Sequence, residues 1–599
     1  MIQIQFGLSD GIPLTGPWGL LPDPMNRSVR QTWWKSERTP GRFFPSYDDE
    51  AFWPTKVPSA YNLVYPELLY YEGLVVYCHR FEARKPGEGE LAFLHFGAVN
   101  DSCRVFLNGT WVGGHEGGFT PFTLDVTGNL QEHNRLLVFV ESCRNGQSVP
   151  GEIHDWFHYG GILGPVRLYY KPEEYIREIR VTTALDGEDA VLRIRAMTEG
   201  PVRGRKTALD IALNDIADGS ELMRIRLHCT PGSWEEQTAR LPLHLVKLWS
   251  PQTPHLYRIS AGTARDAWQD ETGIREIRTE GRSILLNGRP VVLQGAAAWT
   301  EDPDRGIFFM GQEAAERTVR LLQDLHANFA RAGHCPNSPE FVRACSRLGI
   351  LLWMEVPAYW IRDMHQPARS NLAMRMMAGM LRHYANSPSV MFWSIGNESI
   401  FHFPNQGESN IRYFLEAADY IREHDPSRLV TYTGGFEGDD LGNVEELYPS
   451  SVMKKLDVIG INSYCGIHDG ADPGKPEEFG NHRKKLKYAA GFGKPVILAE
   501  AGIDAVRGEQ GFDFGEERQR IYHGKLQQLF HEGLEEGWLQ GMCLFVLNDY
   551  RTPIKLGRFQ QGYNRKGLVD ESFQPKAAYA VVREGYARSR SMDAPQQNK

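Results

Sequence analysis

The segment VMFWSIGNE at residues 390–398 decides the fold of this chain. Its first six residues form an apolar run of strand length, and the flanking segments 371–384 and 410–423 have the spacing of amphipathic helices. A strand between two helices is the repeating unit of a parallel α/β sheet. The segment therefore predicts a parallel strand that ends in two polar residues, Asn397 and Glu398.

The same alternation continues from Gly281 onward, with further helical segments at 313–325 and 516–535. The eight apolar runs are VVLQG (291–295), ANFAR (327–331), LLWME (351–355), VMFWSI (390–395), LVTYT (429–433), DVIGIN (457–462), PVILAE (495–500) and MCLFVL (542–547). Eight strand–helix units predict a (β/α)8 barrel over residues 275–599, with its active site at the carboxyl ends of the strands.

The chain before the barrel consists of short β runs separated by turns. Residues 60–172 include LVVYCHRF, CRVFLNG and LLVFVES, which indicates a jelly-roll β-sandwich over residues 1–172. Residues 173–274 repeat the pattern in runs such as IREIRVTT and AVLRIRAM, which predicts a second, smaller sandwich. The predicted fold class is therefore multidomain, β plus α/β.

Composition and charge exclude several classes of function. The 66 basic and 75 acidic residues give a net charge of −9 and are interleaved along the 599 residues, so no nucleic-acid partner is expected. No run approaches the ~20 apolar residues of a membrane helix, and the start MIQIQFG lacks signal-peptide features, so we expect a cytoplasmic protein with no membrane partner. The 8 cysteines are scattered without zinc-site spacing, which predicts reduced thiols and no metal.

Polar side chains follow several of the predicted strands. They are Arg331 and His334 after the second strand, Asn397 and Glu398 after the fourth, Asn462 and Tyr464 after the sixth, and Glu500 at the end of the seventh. A single glutamate at a strand end is ordinarily a salt-bridge partner or a helix cap, and we interpret Glu355 after the third strand in this way. Glu398 and Glu500 differ because their strands face one another across the barrel mouth.

The pair Glu398 and Glu500 fits the chemistry of glycoside hydrolysis. Two carboxyl groups about 5 to 5.5 Å apart can cleave a glycosidic bond with retention, one as acid and then base and the other as nucleophile. We predict that Glu398 is the acid/base and that Glu500, which must stay ionised, is the nucleophile. Arg331 and Tyr464 are predicted to keep Glu500 ionised and aligned, and Asn397 to hold the 2-hydroxyl of the sugar. This chemistry needs no metal, and no cofactor is predicted.

Seven segments of the chain resemble glycoside hydrolase family 2. They are GGHEGGFTPF (113–122), HDWFHYGGI (154–162), LWSPQTPHLY (248–257), NFARAGHCP (328–336), WSIGNES (393–399), DVIGINSY (457–464) and KPVILAEAG (494–502). The resemblance implies a jelly roll, an immunoglobulin-like sandwich and a barrel in this order. It implies a retaining exo-β-glycosidase with Glu398 as acid/base and Glu500 as nucleophile, and it is compatible with a homo-oligomer. It further suggests that Asp155 reaches from the jelly roll into the barrel mouth to touch the sugar.

Within the family, the segment NRKG (564–567) resembles the Asn-x-Lys motif that in β-glucuronidases binds the uronic acid carboxylate. Asn564 and Lys566 are therefore predicted to bind a carboxylate, and Arg558 on the same basic loop and His334 are predicted to contact the substrate. A charged hydrogen bond is worth about 1.5–3 kcal/mol, which would favour a uronide over a neutral hexoside by about 10- to 150-fold.

Three regions of the chain depart from the family pattern. The segment GAAAWTED (295–302) places Ala297 and Trp299 where many members present polar groups, and Phe545 stands nearest a position that commonly holds Trp. His468 occupies the position of an aromatic hydroxyl in β-glucuronidases and is predicted to contact the substrate. These changes leave the two-glutamate chemistry intact but bear on the specificity of the pocket.

The sequence leaves three functions open, each with a carbohydrate as the partner. The first is an exo-β-glycosidase that hydrolyses terminal β-D-glucuronides through a covalent glycosyl-enzyme intermediate. A β-galactosidase or β-galacturonidase would use the same two glutamates. A catalytically silent carbohydrate-binding protein would keep the sandwiches and an idle barrel, but the presence of both Glu398 and Glu500 argues against it.

Overall fold

The structure is a computed structural model of the chain. It describes residues 4–8, 11–35, 52–201, 206–302, 306–307, 311–361, 363–364, 366–399, 407–435, 449–464, 476–511 and 513–592. Within these ranges the chain forms two β-sandwiches followed by a closed parallel barrel, which confirms the predicted multidomain β plus α/β fold. The exact division at residues 172 and 274 stays a prediction.

The first sandwich packs a six-stranded antiparallel sheet against a four-stranded one. The six-stranded sheet has the order Trp53–Thr55, Trp18–Pro22, Leu74–Glu82, His133–Glu141, Ser102–Leu107 and Thr110–Glu116. The four-stranded sheet has the order Ile12–Pro13, Val166–Pro172, Glu90–Phe96 and Phe122–Asp125. A third sheet joins the short strands Ser59–Ala60, Gly161–Ile162 and Val99–Asn100. Alternate residues such as Val75 and Tyr77 face the shared core, which follows from the two-residue period of a strand.

The second sandwich packs three antiparallel strands against four, an immunoglobulin-like arrangement. The three-stranded sheet has the order Tyr175–Asp186, Asp189–Glu199 and Trp234–Pro242. The four-stranded sheet has the order Glu221–Cys229, Thr207–Asp215, Tyr257–Gly262 and Ala267–Thr272. Ile194, Leu209 and Trp268 are buried in its core. A small sheet of Ile277–Glu280, Ser283–Leu286 and Arg289–Pro290 then leads into the barrel.

Eight parallel strands close the barrel, and each predicted strand overlaps one of them. The strands are β1 (Leu293–Ala297), β2 (Phe329–Arg331), β3 (Leu351–Glu355), β4 (Val390–Asn397), β5 (Leu429–Gly435), β6 (Val458–Asn462), β7 (Val496–Glu500) and β8 (Gly541–Leu544). The helices that follow them are α1 (Gln312–Asp324), α2 (Pro339–Leu348), α3 (Pro367–His383), α4 (Gly407–His424), α5 (Ser450–Lys455), α6 (Pro476–Ala490), α7 (Glu516–Glu535) and α8 (Ala577–Met592). Among the described helices, none combines the length and apolar character that a membrane-spanning helix requires.

The first sandwich docks on the barrel through the segment after Gly151. The backbone N–H of Phe157 donates to the carbonyl of Arg551 at 3.0 Å. The hydroxyl of Tyr159 donates at 3.0 Å to Glu301, whose buried carboxyl lies in the segment after β1. These contacts place the sandwich against the loop after β8, whose strands Tyr550–Arg551 and Tyr563–Asn564 form a short hairpin.

Candidate active site

Most of the predicted site residues meet at the carboxyl end of the barrel. Arg331 ends β2, Asn397 ends β4 directly before Glu398, Asn462 ends β6 two residues before Tyr464, and Glu500 ends β7. All of these residues except Tyr464 are buried. Parallel strands bring their carboxyl ends to one face, so residues far apart in sequence become neighbours here.

Glu500 is held at both carboxylate oxygens. Its Oε1 accepts a hydrogen bond of 2.6 Å from Arg331 Nη1, and its Oε2 accepts one of 2.5 Å from the hydroxyl of Tyr464. The residue is 3% exposed. Burial raises its pKa above the ordinary value, and the charges of Arg331 and His334 and the Tyr464 hydroxyl oppose that rise. The predicted partners of Glu500 therefore make the contacts that support an ionised, aligned carboxylate.

Arg331 connects Glu500 to a second buried carboxylate, that of Glu355. Its Nη2 donates to Glu355 Oε2 at 3.0 Å and to Asn397 Oδ1 at 2.7 Å. His334 Nδ1 lies 3.0 Å from Glu355 Oε1, and its Nε2 lies 3.5 Å from Glu500 Oε1. Although burial raises the pKa of Glu355, the charge of Arg331 lowers it below the ordinary value. Glu355 is thus a salt-bridge partner, as interpreted from the sequence, and it neutralises Arg331 in the interior.

Glu398 is fixed by two side-chain donors and an unusual backbone. Its Oε1 accepts from Asn462 Nδ2 and its Oε2 from the indole Nε1 of Trp360, both at 2.9 Å. Its backbone N–H donates to the carbonyl of Thr433 at 2.9 Å, and its φ is 50°, in the left-handed region. Such a backbone costs about 1–3 kcal/mol and persists only where the surroundings impose it. The side chain of Glu398 is therefore held in one position.

A continuous hydrogen-bonded chain links the two glutamates. Asn462 Nδ2 donates both to Glu398 and, at 3.1 Å, to Asn397 Oδ1. The same Asn397 oxygen accepts from Arg331. Arg331 in turn donates to Glu500. The Nδ2 of Asn397 is buried and has no hydrogen-bond partner within the described ranges. An amide donor in this position can serve a sugar hydroxyl, as predicted for Asn397.

Asp155 crosses from the first sandwich to the loop after β8. Its Oδ1 accepts from the Thr552 hydroxyl at 2.9 Å, and its Oδ2 accepts from Asn564 Nδ2 at 3.0 Å. Asn564 is buried and also donates to the hydroxyl of Tyr550 at 2.9 Å. The structure thus brings Asp155 and Asn564 together, although they lie on different domains of the chain.

Lys566 lies on the Glu500 side of the same mouth. Its ammonium is 5.5 Å from the ring centroid of Tyr464 and 3.8 Å from Asp504 Oδ2, and the residue is 6% exposed. Lys566 therefore adjoins Tyr464, which contacts Glu500, and Asn564 lies two residues before Lys566. Because both are on a short segment after β8, they form one wall of the mouth.

Two further predicted residues are Arg558 and His468. Arg558 is exposed, and its guanidinium lies 5.4 Å from the ring centroid of Phe559. His468 lies outside the described residues. Their substrate contacts stay predictions.

Trp360 and Asn462 are site residues that the sequence reasoning did not assign. The position of Asn462 at the end of a barrel strand could have identified it from the sequence. Trp360 lies five residues beyond the end of β3, and no sequence pattern marks it. In the part of the chain that is described, no group of three or more His, Cys, Asp or Glu residues is arranged to hold a metal ion.

The barrel and its paired strand-end glutamates define the class of protein: this is a glycoside hydrolase, which acts on carbohydrate. The family model for the glycosyl hydrolases family 2 TIM barrel domain matches residues 277–590, and the model for the family 2 sugar binding domain matches residues 13–172. The chain belongs to glycoside hydrolase family 2.

Known relatives and solved structures are similar to the chain over nearly its full length. A β-glucuronidase of Paenibacillus borealis is 28% identical over 95% of this chain and 96% of its own length. A solved β-glucuronidase of an uncultured Clostridium species has a TM-score of 0.83 at 25% identity and covers 98% of this chain and 100% of its own. The structure of the Bifidobacterium dentium β-glucuronidase complexed with coumarin-3-O-glucuronide has a TM-score of 0.85 at 24% identity, covers 98% of this chain and 99% of its own, and shows the shared fold.

Replacing Gly435 by Ala tests the placement of Glu398. A Cβ at Gly435 would lie 2.5 Å from Glu398 Oε1, so the carboxylate must move away from Asn462. A displacement of about 1 Å at a catalytic group costs up to ~10²-fold in rate, and we expect kcat on an aryl glycoside to fall by about that factor. Gly128→Ala, where the added Cβ meets nothing within 4 Å, is the matched control. Unchanged kcat in a folded Gly435→Ala protein would contradict the assignment.

Proposed function

We propose that the protein is a retaining exo-β-glucuronidase. The observation that carries the proposal is the position of Lys566, which adjoins Tyr464 and with it the nucleophile candidate Glu500. A sugar whose anomeric carbon contacts Glu500 is then within reach of the Lys566 cation. The names of the relatives and their full-length similarity support the same activity.

In the first step, Glu500 attacks the anomeric carbon while Glu398 gives its proton to the glycosidic oxygen. The bond between carbon and aglycone oxygen breaks, the aglycone leaves as a neutral alcohol, and an ester forms between the sugar and Glu500. Tyr464 and Arg331 orient the attacking carboxylate, whose oxygens keep lone pairs beyond those that accept their hydrogen bonds.

In the second step, Glu398 removes a proton from a water molecule, which attacks the same carbon and releases Glu500 as a carboxylate. Two inversions at one carbon give net retention of configuration. Asn397 Nδ2 binds the 2-hydroxyl during both steps, and Asp155 accepts a hydrogen bond from a hydroxyl on the far side of the ring. The proposed jelly-roll domain, residues 1–172, supplies that aspartate where it docks on the barrel.

Initial rates on five p-nitrophenyl glycosides test the proposal. The β-glucuronide, β-galacturonide, β-galactoside, β-glucoside and β-mannoside are compared at pH 5 to 7. The expected result is a preference for the glucuronide. A preference for the galactoside would keep the two-glutamate chemistry and overturn the uronide specificity, while silence on all five substrates would favour a carbohydrate-binding protein.

Lys566→Ala tests the assignment of the uronate-binding wall. A charged hydrogen bond worth about 1.5–3 kcal/mol is lost only where the substrate has a carboxylate, so the ratio of kcat/KM on the glucuronide to that on the galactoside should fall at least about tenfold. Lys487→Ala removes an exposed ion pair with Glu536, 2.7 Å long, on the outer helices, and it is the control. An equal loss on both substrates would make Lys566 structural.

A further inference from the structure

A second lysine lies beside Lys566. Lys555 belongs to the loop between the hairpin strands Tyr550–Arg551 and Tyr563–Asn564, and its side chain is 15% exposed. Its Nζ lies 3.5 Å from Asp504 Oδ1, and the Nζ of Lys566 lies 3.8 Å from Oδ2 of the same carboxylate. Two ammonium groups therefore flank one carboxylate at the side of the sugar site.

Asp504 is fixed as an anion between the lysines. Its Oδ1 also accepts a hydrogen bond of 2.9 Å from the backbone N–H of Arg565. Burial raises the pKa of Asp504, but the charges of Lys566 and Lys555 bring it well below its ordinary value. Within the described ranges, no other carboxylate oxygen lies within 4 Å of either Nζ. Asp504 is thus the carboxylate in direct contact with both lysines, and the charge of Asp155 acts on them from farther away.

We propose that Lys555 is a second ligand for the carboxylate of the substrate, which it binds together with Lys566. Asp504 positions the two ammonium groups. The inference rests on the proposed function, since it specifies how the same site reads a uronic acid. It assigns to Lys555 a role in specificity that the Asn-x-Lys segment alone does not contain.

The hydrogen-bonding capacity of the two lysines fits this role. An ammonium has three donors, and Lys555 directs one of them to Asp504. The nearest carboxylate oxygen to Lys566 Nζ, on Asp504, is beyond hydrogen-bond length at 3.8 Å. A bound carboxylate with two oxygens can accept from both ammonium groups at once.

Like charges in this wall also favour an anionic ligand. Burial and the charge of Lys566 lower the pKa of Lys555 to about 8, against the opposing charges of Asp504 and Asp155. Asp155 acts from the docked sandwich, where its oxygens accept from Thr552 and Asn564. A substrate carboxylate between the lysines adds a negative charge and stabilises both in their charged form.

Variants of Lys555 test the proposal on two substrates that differ only at carbon 6. The p-nitrophenyl β-glucuronide has a carboxylate there and the β-glucoside a hydroxymethyl group. We expect Lys555→Met to lower the glucuronide-to-glucoside ratio of kcat/KM at least about tenfold, and Lys555→Arg, which keeps the charge, to hold it within about threefold. Lys487→Met, which removes the exposed pair with Glu536, should leave the ratio unchanged.

The pH dependence of this ratio separates carboxylate binding from a structural role. Both substrates need the same glutamates in the same protonation states, so those groups cancel in the ratio. Lys555 is charged below its pKa of about 8 and loses the charge as pH rises through it, in a wall that also contains Lys566, Asp504 and Asp155. The ratio of the wild-type protein should fall through this pH, that of Lys555→Arg should stay level, and that of Lys555→Met should be low and flat.

The outcomes distinguish the inference from the function on which it rests. A wild-type protein without preference for the glucuronide overturns the proposed function and the inference with it. A wild-type preference that Lys555→Met retains, or an equal loss on both substrates, overturns only the role of Lys555. If Lys555→Met melts below the wild-type protein, Lys555→Gln takes its place in the same comparison and is judged by the same ratio.

Discussion

Replacement of Glu500 by Ala abolishes hydrolysis of every glycoside that the wild-type protein cleaves. The covalent step needs a carboxylate that Arg331 and Tyr464 hold by bonds of 2.6 and 2.5 Å, and no other described carboxylate has this pair of partners. Glu355, the other carboxylate on Arg331, is fully buried against Trp353 and Ser394 and has no access to a sugar. Steady-state rates on the p-nitrophenyl glucuronide measure the loss.

A small external nucleophile then identifies the role of Glu500. In the Glu500→Ala protein, azide can enter the space left by the side chain, attack the anomeric carbon and expel the phenolate, which gives a glycosyl azide of inverted configuration. The matched variant Glu500→Gln keeps the shape of the side chain and leaves no space for azide. It should be inactive, and azide should not restore its activity. A Glu500→Ala protein that retains hydrolysis, or forms an azide of retained configuration, would contradict the nucleophile assignment.

Replacement of Glu398 by Ala produces a loss that depends on the leaving group. A positioned general acid contributes ~10²- to 10⁴-fold, and we expect a loss of that size on an alkyl glucuronide, whose alkoxide leaves poorly without a proton. An activated phenol leaves with little protonation, so its release should be affected much less. The comparison of an alkyl with a dinitrophenyl glucuronide measures the difference.

Azide distinguishes the second glutamate from the first. Once the ester on Glu500 has formed, azide can replace the water that Glu398 would have activated, and the product should be a glycosyl azide of retained configuration. Trp360→Phe is a milder control, because it removes the indole donor to Glu398 Oε2 and leaves the carboxylate in place. If Glu398→Ala lowered the rate equally on both substrates, the assignment of Glu398 as the acid would be contradicted.

The strand ends of the barrel were predictable because hydrophobic runs and helical spacing fix the order of parallel strands. Once β4 and β7 are located, Glu398 and Glu500 must reach the same face. The sequence also pointed to Arg331 and Tyr464, since charged and phenolic groups at strand ends lie next to that face. The bounds of β3 agree with the predicted run LLWME.

The contacts that cross between distant segments could not be predicted in this way. Trp360 contacts Glu398 from a loop without helical or strand periodicity. The hydrogen bond between Asp155 and Thr552 joins residues 397 positions apart in the sequence. The pairing of Lys555 with Asp504 depends on the path of the loop after β8, and loop paths follow from tertiary packing, not from periodicity. These residues became visible only with the fold.

The proposed sugar pocket is shared between the first sandwich and the barrel, and this bears on how such chains can recombine. Asp155 and its neighbours Phe157 and Tyr159 meet the barrel at Thr552, Arg551 and Glu301. If this barrel were joined to the first sandwich of a relative, the pocket would be complete only if that sandwich placed a hydrogen-bond acceptor where Asp155 lies. Residues 155–159 and the loop after β8 are therefore expected to change together, because a substitution in one limits the substitutions that the other can accept.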